Sequence, residues 1–123
     1  MSPKQLGRLK RRAEFLAVAG SGKKWVTPGM IVQIMPRPDF PANSYRFGLT
    51  ASRKVGGAVQ RNRARRRLRA IAEACLPLCQ LPAADFVLIA RPATVGYEFA
   101  LLQNEFQLAL RKLTRHFEEG GTS

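Results

Sequence analysis

Three segments of the chain carry apolar residues at helical spacing. Residues 12–19 form a short candidate helix, and Gly20 after them is suited to a left-handed helix end. Between Ala58 and Cys75 the apolar residues recur at i, i+4, i+7, i+8 and i+11, which predicts a longer helix with one buried stripe. Residues 98–116 carry a similar stripe, which predicts a final amphipathic helix.

Other segments have the patterns of β-strands. Residues 30–35 are mostly apolar, and residues 45–51 alternate between apolar and polar or small side chains. We expect these two strands to pair as an antiparallel hairpin across the proline-rich loop between them. Residues 86–90 are continuously apolar, which is typical of a strand covered on both faces. Whether Trp25 and Val26 add a further short strand is left open by the pattern.

The order of these elements, α-β-β-α-β-α, predicts an α+β fold. In such a fold a small, mainly antiparallel sheet of about four strands packs with helices. The length of 123 residues suits a single domain spanning residues 1–123. Residues 1–11 are polar and basic, and we expect a mobile arm there, whereas residues 118–123 are expected to form a frayed tail.

The charge balance narrows the class of partner. Lysine and arginine number 21 against 8 acidic residues, so the formal net charge is +13. Such an excess repels itself in a compact fold unless a polyanion binds, and nucleic acids and acidic membranes are the two candidates. Because no stretch approaches about 18 apolar residues, we favour nucleic acid and expect no membrane partner. The apolar run at residues 15–19 is too short for a secretory signal, so a cytoplasmic protein is expected.

Metal and nucleophile chemistry find little support in the sequence. Cys75 and Cys79 are the only cysteines, and on one helix their thiols would share a face. Zinc needs further ligands that nothing nearby supplies, so we expect buried apolar thiols and no metal site. His116, the single histidine, lies near the predicted end of the last helix, where its charge would suit the helix dipole. The sequence therefore assigns no catalytic residue.

The most informative segment is a run of arginines on the predicted second helix. Six arginines fall between positions 61 and 69. At about 100° per residue, one face carries Asn62, Arg65, Arg66 and Arg69, and the far flank carries Arg63 and Arg67. Arginines at i,i+4 repel each other, and the cluster lies at the helix N-terminus, where the dipole favours anions. An unfavourable electrostatic arrangement of this kind tends to mark a functional site.

Phosphate is the anion that fits this pattern best. A planar guanidinium donates two parallel hydrogen bonds to phosphate oxygens. Gly56 and Gly57 precede the helix and permit a phosphate to approach the free N–H groups of its first turn. A DNA-recognition helix would carry more Asn, Gln, Ser and Thr for base edges, so RNA is favoured over DNA.

Two motifs in this region resemble those of the bacterial ribonuclease P protein family. Ser52-Arg53-Lys54-Val55-Gly56 and Arg61-Asn62-Arg63 stand in the order and spacing of that family's motifs. The Glu14-Phe15 pair and Ile89-Ala90-Arg91-Pro92 match further landmarks. The resemblance extends over about residues 9–117, which is almost the whole chain.

The resemblance implies a subunit of a ribonucleoprotein endonuclease that matures the 5′ end of transfer RNA. In that family the RNA subunit carries the active site, and magnesium is bound mainly by the RNA subunit and the substrate. The protein contacts the RNA subunit through the Arg-Asn-Arg helix and holds the 5′ leader of precursor transfer RNA between the first helix and the sheet. The family fold also has a left-handed βαβ crossover. Protein oligomerisation is not expected.

The candidate site residues, taken from the arginine face and from the resemblance, fall into two groups. The RNA-binding residues would be Arg53, Lys54, Arg61, Asn62, Arg63, Arg65, Arg66 and Arg69. The leader cleft would include Phe15 and Gln33, although Phe15 also suits a core position. Gln33 and Ala19 stand where family members often have aromatic residues, so base stacking is expected to be weaker or differently arranged here. A structural RNA-binding protein, such as a ribosomal protein or an RNA chaperone, stays open as the alternative.

Overall fold

The computed structural model describes residues 5–79 and 81–120. Within these residues the helices and strands are β1 Gln5–Arg8, α1 Arg12–Gly20, β2 Lys24–Val26, β3 Met30–Pro36, β4 Ser44–Thr50, α2 Ala58–Cys75, β5 Ala84–Ala90 and α3 Phe99–Gly120. Short 3-10 turns lie at Arg53–Val55, Leu76–Leu78 and Pro92–Val95. The three predicted helices are confirmed, and α2 has the bounds predicted for it.

A single mixed sheet holds these strands in the order β1-β4-β5-β3-β2. Strands β1 and β5 both lie parallel to β4, whereas β3 is antiparallel to β5 and to β2. The α+β class is confirmed, with five strands rather than about four and with as many parallel as antiparallel pairs. Helix α2 connects the adjacent parallel strands β4 and β5, and the left hand of this crossover stays a prediction.

The predicted hairpin between β3 and β4 is wrong, because β5 lies between them. Phe86 of β5 is in register with Ile34 on one side and with Phe47 on the other. Burial explains this arrangement: nearly all residues of β5 are buried on both faces, so the strand is most stable in the centre of the sheet. Trp25 and Val26 do belong to a strand, β2, at the far edge.

The N-terminal segment is more regular than predicted. From Gln5 onward the expected mobile arm is wrong, because β1 pairs with β4 and the N–H of Leu9 donates to the carbonyl of Phe47 at 2.9 Å. Without β1, that edge of β4 would expose unpaired backbone groups. Helix α1 includes Gly20, and Gly22 rather than Gly20 adopts the left-handed conformation after it, with φ of 74°.

The C-terminal helix is longer than predicted. It continues beyond residue 116 to Gly120, so the part of the expected frayed tail at residues 118–120 is helical. Residues 1–4 and 121–123 and the side chain of His116 lie outside the described part of the chain. None of the described helices has the length and apolar character needed to cross a membrane.

The two faces of the sheet are covered to different extents. Helices α2 and α3 pack on one face and bury the main core, with Leu68 and Phe106 fully enclosed. The shorter helix α1 lies on the other face, where Val18 and Leu9 pack with Val87. Because α1 has only 9 residues, it leaves part of this face open beside it. The sheet is therefore fully covered on the α2 and α3 side and partly open on the α1 side.

Cys75 and Cys79 are both buried, as predicted, and they form no disulfide. Cys75 is 2% exposed and Cys79 is 8% exposed, and burial raises the pKa of the Cys75 thiol. Among the described residues, no group of three or more His, Cys, Asp or Glu side chains is arranged to hold a metal ion.

Candidate RNA interface

The predicted arginine face of α2 forms one wall of a surface depression. Its cavity volume is about 570 Å³. The lining residues are Arg8, Leu49, Val59, Asn62, Arg65, Arg66 and Arg69. The structure therefore brings together the four polar residues predicted to share a face, and it adds a cation from β1 that sequence analysis placed in a mobile arm.

Local contacts hold several of these side chains in place. The Nη1 group of Arg65 donates to Oδ1 of Asn62 at 3.1 Å, one turn earlier on the helix. The Arg8 guanidinium lies 4.7 Å from the centre of the Phe47 ring, which is a cation–π contact. Arg69 donates to Glu73 at 2.7 Å, but both side chains are about half exposed, so this ion pair is weak.

The remaining predicted RNA-binding residues lie around this depression or behind it. Arg53 and Lys54 are exposed on the 3-10 turn before α2, where the Ser52 hydroxyl accepts from the Lys54 N–H. Arg61 is half-buried, and its Nε has no hydrogen-bond partner among the described residues. Arg63 is on the opposite flank of α2, where its Nε donates to a backbone carbonyl at 3.2 Å.

The opposite flank of α2 has a structural role. Arg63 donates to the carbonyl of Val95, and Arg67 donates to the carbonyls of Thr94 and Tyr97. Burial, followed by the charge of Arg63, lowers the pKa of Arg67. These bonds fasten α2 to the turn that follows β5. The arginine run thus divides into a face open to a ligand and a flank that satisfies backbone carbonyls.

A second depression lies between α1 and the sheet. Its cavity volume is about 510 Å³, and its lining residues are Arg12, Phe15, Leu16, Leu49, Thr50, Ala51, Ser52, Arg65 and Ile89. Phe15 is half-buried and packs on Gly48, where a Cβ atom would lie 2.5 Å from the Phe15 Cζ. Glycine at position 48 therefore makes room for the ring. Leu49 and Arg65 line both depressions, so the cleft and the arginine face form one continuous surface.

Gln33 does not line this cleft, although it lies on the same face of the sheet. It is in register with Val87 of β5, which is in register with Gly48 of β4. Adjacent strands are about 4.8 Å apart, so Gln33 lies roughly 10 Å from the strand beneath Phe15. The structure thus brings Phe15, but not Gln33, next to the arginine face.

A network of ion pairs fixes the start of α1 to the sheet. Asp85 is fully buried and accepts from Nε and Nη2 of Arg46 at 2.9 and 2.6 Å, and from Nη1 of Arg37 at 2.9 Å. Arg46 also contacts Glu14 at 2.8 Å, and Arg37 contacts Asp39. The network thus joins the N-terminus of α1 to two strands and the loop after β3.

Glu14 has two functions in this network. Its Oε1 accepts from the backbone N–H groups of Lys10 and Arg11, which caps α1. These two bonds, followed by Arg46, hold the pKa of Glu14 at about 2, below the usual 4.5. Sequence analysis missed Arg46 and the network. The signal available was Asp85 itself, an acid at the beginning of an otherwise apolar strand, which needs a buried partner.

Comparisons with known proteins agree with the motifs. A family model for ribonuclease P matches residues 4–114. The ribonuclease P protein component of Paramagnetospirillum magneticum is 42% identical over 111 residues, covering 89% of this chain and 84% of the relative. The same component of Acidothermus cellulolyticus is 38% identical over 117 residues, covering 94% of this chain and 95% of the relative.

Solved structures share the fold. The ribonuclease P protein from Thermotoga maritima is similar with a TM-score of 0.70 at 24% identity, covering 85% of this chain and 96% of that chain. The Staphylococcus aureus protein gives 0.69 at 24% identity, covering 85% and 92%. At this identity the likeness concerns the fold alone, whereas the family model and the sequence relatives cover nearly the full chain. The chain therefore belongs to the ribonuclease P protein family and is the protein subunit of the ribonucleoprotein endonuclease that matures the 5′ end of transfer RNA.

Proposed function

We propose that the arginine face of α2 binds the RNA subunit through its phosphates. The observation that carries this proposal is the depression where Asn62, Arg65, Arg66 and Arg69 converge with Arg8. Four guanidinium groups surround one cavity, and Glu73, at its far end, is the one acid paired with any of them in the described residues. Each guanidinium presents a fork that matches phosphate oxygens, so the cluster repels itself when empty and is stabilised when RNA binds. Arg53 and Lys54 would extend the same surface.

The cleft beside α1 is proposed to hold the 5′ leader of precursor transfer RNA. On the cleft wall, Phe15 presents a half-buried ring and Arg12 presents an exposed cation. Single-stranded RNA binds to such a pair, because its bases stack on aromatic rings and its phosphates contact cations. Because Arg65 and Leu49 line both depressions, the leader would run directly toward the RNA subunit. Gln33 would contribute only to a leader that crosses the sheet beyond β5.

The chemistry is assigned to the RNA subunit. The family is magnesium-dependent, but the described residues of this protein offer no cluster of carboxylates for the metal. The protein is therefore proposed to neutralise phosphates and position the precursor, while the RNA subunit and the substrate bind the magnesium. By itself the protein would cleave nothing.

A reconstitution experiment tests this proposal. The protein should restore cleavage of precursor transfer RNA by the cognate RNA subunit at low magnesium, and its benefit should shrink as magnesium rises at constant ionic strength, since both neutralise RNA charge. Arg66→Ala and Arg69→Ala should each weaken binding to the RNA subunit while keeping the parent melting temperature. Arg111→Ala, an exposed arginine on α3, is the matched control and should bind normally.

The alternative, a structural RNA-binding protein, gives a different result in the same experiment. Such a protein would bind the RNA without restoring cleavage. A benefit that stays constant across the magnesium titration would also contradict the proposed role of the arginine face. Equal binding by the Arg66 variant and the parent would contradict its location.

A further inference from the structure

The arginine depression contains a feature that phosphate binding alone does not explain. Val59 is 76% exposed on the first turn of α2, yet it lines the same cavity as the arginines. Leu49, half-buried on β4, lines it as well. An exposed aliphatic side chain among guanidinium groups does not stabilise a bound phosphate, because phosphate oxygens need hydrogen-bond donors. A flat apolar ligand surface would instead remove that side chain from water, which is favourable.

The polar groups of the depression are placed around these two apolar side chains. Asn62 directs its Oδ1 toward the Arg65 guanidinium at 3.1 Å, so its amide N–H₂ group is the part left to donate to a ligand. Arg8 belongs to β1, whereas Arg66 and Arg69 belong to α2, so cations line the cavity from two different elements. The cavity thus combines apolar side chains, an amide donor and cations from both sides.

This combination matches an unpaired nucleotide. A base has two apolar faces and an edge with hydrogen-bond acceptors, and its phosphates lie on either side of it along the strand. Paired bases of an A-form helix are not available to such a cavity, because they are stacked inside the duplex. The volume of about 570 Å³ falls within the range of roughly 300–1,000 Å³ that is usual for small-ligand sites.

We propose that this depression binds one unpaired nucleotide of the RNA subunit. The base packs on Val59 and Leu49 and accepts a hydrogen bond from Asn62, while Arg8 and Arg66 hold the phosphates beside it. The inference rests on the proposed function, because it requires that the arginine face contacts RNA. It adds that the face recognises an unstacked base, so binding has an apolar component as well as an ionic one.

Two full-length variants separate these components. Val59→Ala removes apolar contact and no charge, and alanine favours the helix. At about 0.8 kcal/mol for each buried CH₂, the loss of one to two such groups should weaken this variant's binding to the RNA subunit roughly fourfold to fifteenfold. Its slope of log affinity against log salt should equal that of the parent. Arg8→Gln removes a cation and should flatten that slope by about 1. Leu78→Ala, at an apolar site that is 73% exposed away from the cavity, is the control and should bind like the parent.

Binding is measured separately with the RNA subunit alone and with precursor transfer RNA alone, and base reactivity of the bound RNA is mapped chemically. We expect the Val59 loss with the RNA subunit, together with one unpaired base that is protected by the parent and reactive in the variant. Unchanged affinity in Val59→Ala while Arg66→Ala binds weakly would overturn this inference and leave the proposed function standing. If Arg66→Ala also binds normally, the proposed function itself fails. A loss confined to the precursor would overturn the assignment to the RNA subunit.

Discussion

Replacing Asp85 with alanine should lower the stability of the protein by about 3 kcal/mol. Removing one partner of a buried ion pair typically costs ~3–5 kcal/mol, because the other charge is left without compensation. Asp85 is fully buried and receives three hydrogen bonds from two arginines. The low end of the range applies here, because Arg37 and Arg46 are 22% and 25% exposed and keep a second carboxylate each.

The size of this effect can be measured by thermal unfolding. The entropy of unfolding is about 2.1 cal/mol/K per residue, so a chain of 123 residues should lose about 12 °C in melting temperature for 3 kcal/mol. Asp39→Asn is the matched control, because its side chain is 61% exposed and, among the described residues, bridges only Arg37. That control should change stability by less than about 1 kcal/mol.

A second substitution shows whether the uncompensated arginines cause the loss of stability. If stranded arginines cause the loss, Asp85→Ala combined with Arg46→Met should be less destabilised than the sum of the two single variants, by about 1 kcal/mol or more. Strict additivity, or a melting temperature for Asp85→Ala within about 2 °C of the parent, would refute the argument. Because the network holds the start of α1, affinity for the leader should fall more than affinity for the RNA subunit.

Two further predictions concern α1. Phe15→Ala should weaken binding of precursor transfer RNA that has a 5′ leader by roughly fivefold to 150-fold, since stacking on a base contributes about 1–3 kcal/mol, and it should leave mature transfer RNA unaffected. Equal losses for both RNAs, measured with the reconstituted enzyme, would contradict the leader assignment. Glu14 should make the protein sensitive to acid, because its pKa is lower in the folded protein than the usual value of 4.5. Its contribution to stability is therefore present above pH 4.5 and is lost as the pH falls toward 2. The difference in melting temperature between the parent and Glu14→Gln should therefore be constant near neutral pH and shrink across that interval, and a constant difference down to pH 2 would contradict the capping role.

The arginine face could be predicted because it depends on one helix. A residue's direction on a helix follows from its number, so Asn62, Arg65 and Arg66 were expected on one side before any tertiary contact was known. The same periodicity predicted that Leu68 and Ile71 would be buried, and both are 0% exposed. Local backbone geometry is enough for statements of this kind.

Features that join distant segments could not be predicted in this way. Every strand presents the same backbone donors and acceptors, so sequence alone does not state which strand pairs with which. For that reason β5 was not expected between β3 and β4, and Arg8 was assigned to a mobile arm instead of to β1 beside the arginine face. Gln33, which the resemblance implied for the leader cleft, lies two strand spacings from the strand beneath Phe15, and its role stays a prediction.

The sequence by itself determined the α+β class, the basic character, the extent of α2 and which arginines share one face of α2, because composition and helical period are local properties. The tertiary structure alone decided that Arg63 and Arg67 bind backbone carbonyls, that Arg8 and Val59 line one cavity, and that Arg46 joins Asp85 to Glu14. The physical reason is that a side chain's partner is set by the packing of whole elements. That packing balances the burial of β5, the pairing of sheet edges and the neutralisation of buried charge over the entire chain.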